Sequence, residues 1–412
     1  MSRAVDDITQ ASAMGIDAFA LNVQAPDASW CQSALTHLFN AASSTNFKLF
    51  LSLDMAVRGN PSDFFPMLQQ YLNHPSYYRH NSRPLLSTFR GAANMARPNS
   101  VWQDFLTQIR SSTSTNPLFL PNFEDWSGFG GAYTPQFFSA YPSVDGVLAW
   151  ETAWPFPSAP DSMTTNDEAN LAAAHAAQKL YVLPVSPYQF KHLSPDQNWF
   201  RPGGMNLIHG LRRALSLRPD FVELVTWNDA GEGHWIGNIW REGITQGMAD
   251  LIAGFEHGAW RGVVAMFMAA IRNGASDEGG VVPLGGRTVQ GAFWYRPLKK
   301  DSHCWNWLGK PRGWEGAEDA VNVAVALRGD VRPGSVQIKV WSGGTLVATL
   351  TGRSGMNIYQ VAYREGQQKV QVVTFPGGQV LAEGTGPMEV TWDIGRLGGQ
   401  CNFNYQVVDL SS

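Results

Sequence analysis

The chain has 412 residues, 44% hydrophobic and 16% charged, so it carries the apolar material for a large packed interior and has no polyelectrolyte or disordered character. Thirty basic and 34 acidic residues leave a formal charge of −4, with no Lys/Arg-rich block, which excludes nucleic acid and anionic membrane as partners. The longest apolar stretch, around 263–271, is far short of the ~20 residues that cross a bilayer.

In chain order, residues 5–14 read as a helix, after which short β-rich runs alternate with helical patterns. Strands are predicted at 17–23, 48–53, 84–89, 118–123, 146–150, 180–185 and 222–227. Between them helices are predicted at 29–43, 62–73, 100–111, after Thr134, at 167–178 and at 206–216, several opening on Ser, Asp or Asn in capping positions. Such alternation marks βαβ units and a parallel sheet. Seven strands are one short of a closed eight-fold barrel, and the helix at 5–14 stands where it would follow a first strand. The expected fold is therefore α/β, a (β/α)8 TIM-type barrel lacking its first strand. The opening MSRAVDDITQ has neither the apolar core nor the cleavage site of a signal peptide, so the expectation is a chain that begins downstream of its true start or a protein that stays in the cell.

Residues 254–274 read as the last helical region of the barrel. Beyond about 275 come Gly/Pro-punctuated strands without helices, at 321–327, 335–341, 345–350, 357–363, 370–374, 380–382 and 387–393. They predict a C-terminal β-sandwich, giving a barrel domain over 1–275 and a sandwich over 276–412. Three cysteines, Cys31, Cys304 and Cys401, make no disulfide framework and no metal knuckle; a Cys304–Cys401 bridge is left open.

The active site of a parallel barrel lies at the C-terminal ends of its strands, and here those ends collect acids and aromatics. They supply Asn22, Asp54, Asn122 with Glu124, Asp125 and Trp126, then Trp150, Glu151 and Trp154, then Tyr188, and finally the run from Trp227 through Asp229, Glu232 and His234 to Trp235. Sixteen tryptophans concentrated near Gly, Pro, Asn and Asp suit sugar faces, because a flat ring packs on the C–H face of a pyranose while neighbouring polar groups bond its hydroxyls. Glycosidic hydrolysis needs one protonated and one ionised carboxyl group, and Asp229 and Glu232 are the obvious pair. Two glycines alongside permit a tight turn that aims both at one cleft, and Trp227 and Trp235 are expected to raise one pKa by excluding water. The alternative is a surface turn or a helix start capped by Asp229. Asp54 points into the same mouth, or else pairs with Arg58 or Arg90. No HxH or HExxH spacing and no Gly-x-Ser-x-Gly elbow occurs, so metal and serine-nucleophile chemistry rank low.

Taken in order, residues 17–22, 50–55, 86–89, 121–123, 145–150, 184–187 and 227–232 resemble the fungal α-1,3-glucanases, or mutanases, of glycoside hydrolase family 71. The resemblance implies endo-type hydrolysis of α-1,3-glucan, the fungal wall polymer, with inversion and no cofactor. It makes Asp229 the general base, Glu232 the general acid and Asp54 a third essential acid, with no metal. An inverting pair is expected about 6.5–9.5 Å apart. Candidate substrate-binding residues are Asn22, Asn122, Trp126, Trp150, Glu151, Trp154, Tyr188, Trp199, Trp227, His234 and Trp235. The resemblance also implies an extracellular or cell-wall protein acting on polysaccharide, and a monomer is expected. Two rival readings stay open: a glucan-binding protein that has lost catalysis, and a barrel glycosidase of another linkage.

Overall fold

A computed structural model describes residues 2–93, 95, 97–126, 131–155 and 166–412. The chain forms two compact units: Met1–Ala153 with Thr165–Pro184 and Pro219–Glu223, and Trp154–Thr164 with Val185–Arg218 and Leu224–Ser412. The boundary expected at 275 falls inside the second.

The first unit is built on parallel strands. Its strands are β1 (Ala18–Val23), β2 (Lys48–Asp54), β3 (Arg79–His80), β4 (Arg83–Phe89), β5 (Leu118–Pro121), β6 (Gly146–Leu148), β7 (Leu180–Val185) and β10 (Phe221–Leu224). One sheet runs β1-β2-β4 with β5 beyond β4, and a second runs β10-β7-β6. A bond from the Asp145 N–H to the Phe119 carbonyl, 2.8 Å, links β5 to the start of β6. All seven expected strands are present, and the extra β3 is a two-residue antiparallel pairing with β4. Helices α1 (Ser2–Ala13), α2 (Ser29–Ala42), α3 (Phe65–Tyr71), α4 (Pro98–Thr113), α5 (Pro135–Ala140) and α6 (Asp167–Ala176) fall close to their expected places.

Alternation along the strands sorts the side chains. Leu49, Leu51 and Leu53 are wholly buried, whereas Phe50 joins Leu85, Leu118, Leu120, Leu148, Val182 and Phe221 in a separate cluster on the sheet's other face. Ser52 and Asp54 share the parity of Phe50, so the strand delivers an acid at the C-terminal end of that face. Arg83 clasps both oxygens of Asp145, at 2.9 and 2.6 Å, and fastens β4 to the turn before β6. The edge strands β1 and β10 are mostly half-exposed, while β2, β5, β6 and β7 are largely buried.

The second unit holds a hairpin, β8 (Gln189–Ser194) with β9 (Gln197–Arg201), then α7 (Asn206–Leu217), α8 (Gln246–Leu251) and α9 (Trp260–Arg272). It continues into β11 (Val289–Tyr295), β12 (Ala320–Leu327), β13 (Val336–Ser342), β14 (Thr345–Thr351), β15 (Gly355–Ala362), β16 (Gln368–Thr374), β17 (Val380–Thr385) and β18 (Gln406–Asp409). Two antiparallel sheets, β15-β12-β11-β18 and β14-β13-β16-β17, enclose one core of Val, Ile, Leu and aromatic side chains that includes Phe293, Val323, Ile338 and Val372. This is the expected β-sandwich, with two corrections. The run 387–393 contributes only isolated bridges at Val390 and Thr391, and the unforeseen β11 and β18 complete the first sheet. Gly291 breaks the β-propensity of β11, yet a Cβ there would lie 2.3 Å from the Ala324 carbonyl oxygen, so the close strand approach itself demands glycine. Cys304 and Cys401 form a disulfide, and Cys31 is a buried free thiol. Among the described residues no helix is long and apolar enough to cross a membrane.

Candidate active site

In the second unit the chain leaves β10 and makes a tight turn over 228–233. Asp229 Oδ1 accepts the Glu232 N–H at 2.9 Å, and the Asp229 N–H bonds Thr226 Oγ1 at 3.1 Å. The Glu232 carbonyl accepts the Phe190 N–H at 2.8 Å, so the turn is stitched to β8. Gly233 sits at φ +79° with Phe190 O 3.0 Å from where a Cβ would be; the turn can reverse there only without a side chain.

Three polar neighbours hold Glu232. Lys191 Nζ lies 3.0 Å from Oε1, while the Gln189 amide and His234 Nε2, the latter at 3.3 Å, reach Oε2. His234 is completely buried, with Nδ1 3.0 Å from Thr226 Oγ1. An ionised Glu232 accepts from Nε2–H, and Thr226 Oγ1, which also accepts the Asp229 N–H, is the partner of Nδ1 in either protonation state of the ring. Burial pushes the Glu232 carboxyl up, but the hydrogen bond and charge of His234, followed by Lys191, outweigh it and hold the group down at about 2. For Glu232 the net shift therefore runs opposite to the rise that water exclusion by the tryptophans would give. One oxygen or nitrogen from each of Asp229, Glu232 and His234 lies within 4.8 Å of the others, a grouping that could hold a cation. Lys191 already supplies the positive charge at this carboxylate, so the donor set does not call for a metal.

The hairpin carries this environment. Lys191 on β8 pairs across to Trp199 on β9, and its ammonium lies 5.2 Å from the Trp199 ring centre. Neither Gln189 nor Lys191 was singled out from the sequence, although the turn at Ser194-Pro195-Asp196 between two alternating runs carried the signal of a hairpin.

Acids of the first unit form two networks. Asn22 Nδ2 donates to Asp54 Oδ2 at 3.3 Å and its Oδ1 accepts from Ser52 Oγ at 3.2 Å, the register Asn22↔Ser52 having placed them side by side. Asp54 Oδ1 also accepts the Ala56 N–H; burial still raises its pKa against these bonds. In the second network Asn122 Nδ2, 2.6 Å away, and the Glu151 N–H, 2.9 Å away, both donate to Glu124 Oε2. Burial, reinforced by the charge of Glu151, pushes Glu124 up to about 8. Trp126 and Asp125 line a cavity of about 530 Å³ with Arg97, Asn99 and Tyr141.

Several expected sugar contacts are not available as such. Tyr188 is wholly enclosed, its hydroxyl 2.6 Å from Asn404 Oδ1; Trp235 is buried and stacked 3.8 Å from the His257 ring; and Trp154 is buried with the Arg201 guanidinium 5.0 Å over its ring. Their faces are spent on protein. Asn122 and His234 are likewise interior, and act on Glu124 and Glu232. Trp126, Trp150, Trp199 and Trp227 are half-buried, whereas Asn22 and Glu151 are exposed.

The sequence profile described as glycosyl hydrolase family 71 matches residues 1–412. The chain is 30% identical over 390 residues to the glucan endo-1,3-alpha-glucosidase agn1 of Schizosaccharomyces pombe, covering 93% of this chain and 85% of that protein. It is 28% identical over 399 residues to a mutanase of Penicillium rubens, covering 93% and 80%. Among solved structures, a GH99 endo-alpha-mannosidase from Bacteroides thetaiotaomicron superposes with a TM-score of 0.50 at 13% identity, over 66% of this chain and 84% of that one, a likeness of fold.

Proposed function

The chain belongs to glycosyl hydrolase family 71, and from that membership we propose that it is a glycosidase that hydrolyses α-1,3-glucosidic bonds within the α-1,3-glucan of fungal walls. The observation that carries this reading is the Asp229–Glu232 turn, where two carboxylates share one loop with the buried His234 and face Lys191 of β8. Asp229 is the base that takes a proton from water, and Asp54 a third essential acid. Glu232 delivers the proton to the leaving oxygen. Because Lys191 and His234 favour its ionised form, Glu232 acts in the molecules in which it carries a proton, gives that proton to the glycosidic oxygen as the bond breaks, and takes another from solvent once the product has left. Inversion rests on the family resemblance, and the base needs only Asp229 Oδ2, which lies outside the bond to Glu232.

The finer reading of the fold belongs to the same proposal: residues 1–275 as a catalytic eight-fold barrel with one strand position, beside the half-exposed β1 and β10, not filled by the described residues. The protein acts outside the cell, as a monomer. The test is release of reducing ends from alkali-soluble α-1,3-glucan by the wild type and by Glu232→Gln, Asp229→Asn and Asp54→Asn. Loss of about a hundredfold or more in each variant is expected. Wild-type rates in Glu232→Gln and Asp229→Asn refute the mechanism, and binding without hydrolysis by the wild type makes the chain a glucan-binding protein.

A further inference from the structure

The segment after β11 carries two tryptophans that the site above does not use. Trp305 is 60% and Trp307 76% exposed, which for large apolar side chains is a cost unless something covers them. Trp305 lies over Gly399, where an added Cβ would meet its ring at 3.4 Å. Among the described residues neither indole takes part in a hydrogen bond or ring stack, whereas the buried Trp294 spends its N–H on the Gly204 carbonyl at 2.7 Å.

The segment is held firmly. The Cys304–Cys401 disulfide ties its start to a point 97 residues on. Between the two tryptophans, Asn306 turns inward and its Nδ2 lies 3.0 Å from Nε2 of the buried His192. His192 Nδ1 bonds Asn198 Oδ1 at 2.8 Å, and Asn198 Nδ2 donates to the Leu308 carbonyl at 2.9 Å and, at 3.3 Å, to that of Lys310. Arg312 then pairs in parallel with Trp199. One hairpin therefore serves two surfaces: Gln189 and Lys191 reach Glu232, while His192 and Asn198, facing the other way, anchor the tryptophan segment.

We propose that Trp305 and Trp307 form a binding platform for polymeric α-glucan, holding a chain of the substrate by stacking on its pyranose faces at a distance fixed to the catalytic turn by the β8–β9 hairpin. Exposed flat rings with free N–H donors on a cross-linked segment lose little freedom on binding, as a sugar platform requires. Continuity through the hairpin with Glu232 selects the same polysaccharide as the occupant. The inference rests on the glucanase reading.

The experiment compares wild type, Trp305→Ala/Trp307→Ala and Trp305→Phe/Trp307→Phe for retention on insoluble α-1,3-glucan, for hydrolysis of that polymer, and for hydrolysis of short soluble α-1,3-oligosaccharides. The alanine pair is expected to lose about tenfold in retention and in apparent affinity on the polymer, to keep oligosaccharide turnover within about twofold, and to melt as the wild type; the phenylalanine pair restores retention. Unchanged retention with an active wild type overturns the platform and leaves the glucanase reading standing. Equal loss on polymer and oligosaccharide also overturns it, as does loss of a dimer in place of retention. A wild type inert on α-1,3-glucan defeats the glucanase reading and the platform with it.

Discussion

Replacing Lys191 with methionine removes one of the two partners that hold Glu232 ionised while keeping most of the side chain's length. The ammonium stands 3.0 Å from Oε1, and the two side chains are only 18% and 23% exposed. At that distance the Coulomb attraction is on the order of 1.4 kcal/mol in water and about twice that at half the dielectric, equivalent to about one to two pKa units. Removing it raises the Glu232 pKa. The alkaline limb of kcat/KM, which reports loss of the proton from the general acid in the free enzyme, should shift upward by about one to two units. Lys191→Arg keeps the charge and should leave the limb in place. Folding stability has its own sign: a carboxyl depressed below its unfolded value stabilises the protein above that value and loses the contribution as pH falls through the folded pKa. Lys191→Met should therefore cost stability near neutrality and little below about pH 2. The assay is a pH–rate profile on a soluble α-1,3-oligosaccharide with denaturant melts alongside. A limb that stays still or moves downward, or a methionine variant inactive at every pH, refutes the assignment of the acid.

Anomeric NMR of the first products should show the β-configured reducing end of an inverting reaction; α-products would instead make Asp229 and Glu232 a nucleophile–acid pair. Glu223 on β10, pushed by burial up to about 7, weakens the fold as pH rises above its unfolded value, so Glu223→Gln should stabilise by about 1–3 kcal/mol at pH 7 and by almost nothing at pH 4 in urea melts. Equal gains at both pH values would show that the charge is not the cause. Gly233→Ala places a methyl 3.0 Å from the Phe190 carbonyl at a left-handed φ, and should lower stability by about 1–3 kcal/mol and cut activity, whereas Gly243→Ala, with open space around it, should do neither.

The parallel strands were legible because each is a short apolar run bounded by Pro, Asn or Gly. Leu49-Phe50-Leu51-Ser52-Leu53-Asp54 even displays its two faces, and places Asp54 at the strand end where the structure finds it. The β8–β9 hairpin showed only its turn in the sequence, and what its strands do was hidden for an equally physical reason. Its inward positions hold His192 and Asn198 beside Phe190 and Phe200, and those polar groups are buried because they bond to each other and to residues more than a hundred positions away. No local periodicity encodes that satisfaction. Aromatic platforms are hard to read for another reason: tryptophan serves core and sugar site alike, and a place near a strand end did not separate the half-buried Trp227 from Trp235, which the His257 ring covers.

The Asp229–Glu232 pair could be named from spacing, but its electrostatics could not. Sequence reasoning sees adjacent tryptophans and infers water exclusion, and burial does push Glu232 upward as that inference requires. What reverses the outcome is the pairing of residues from opposite sides of the chain's path. His234, two positions along the turn, folds back through Gly233 to reach Oε2, and Lys191, 41 positions earlier, arrives because β8 runs beside the turn. The charge state of the acid is thus decided by one glycine conformation and one hairpin register, neither of which is a property of the acid's own neighbourhood in sequence.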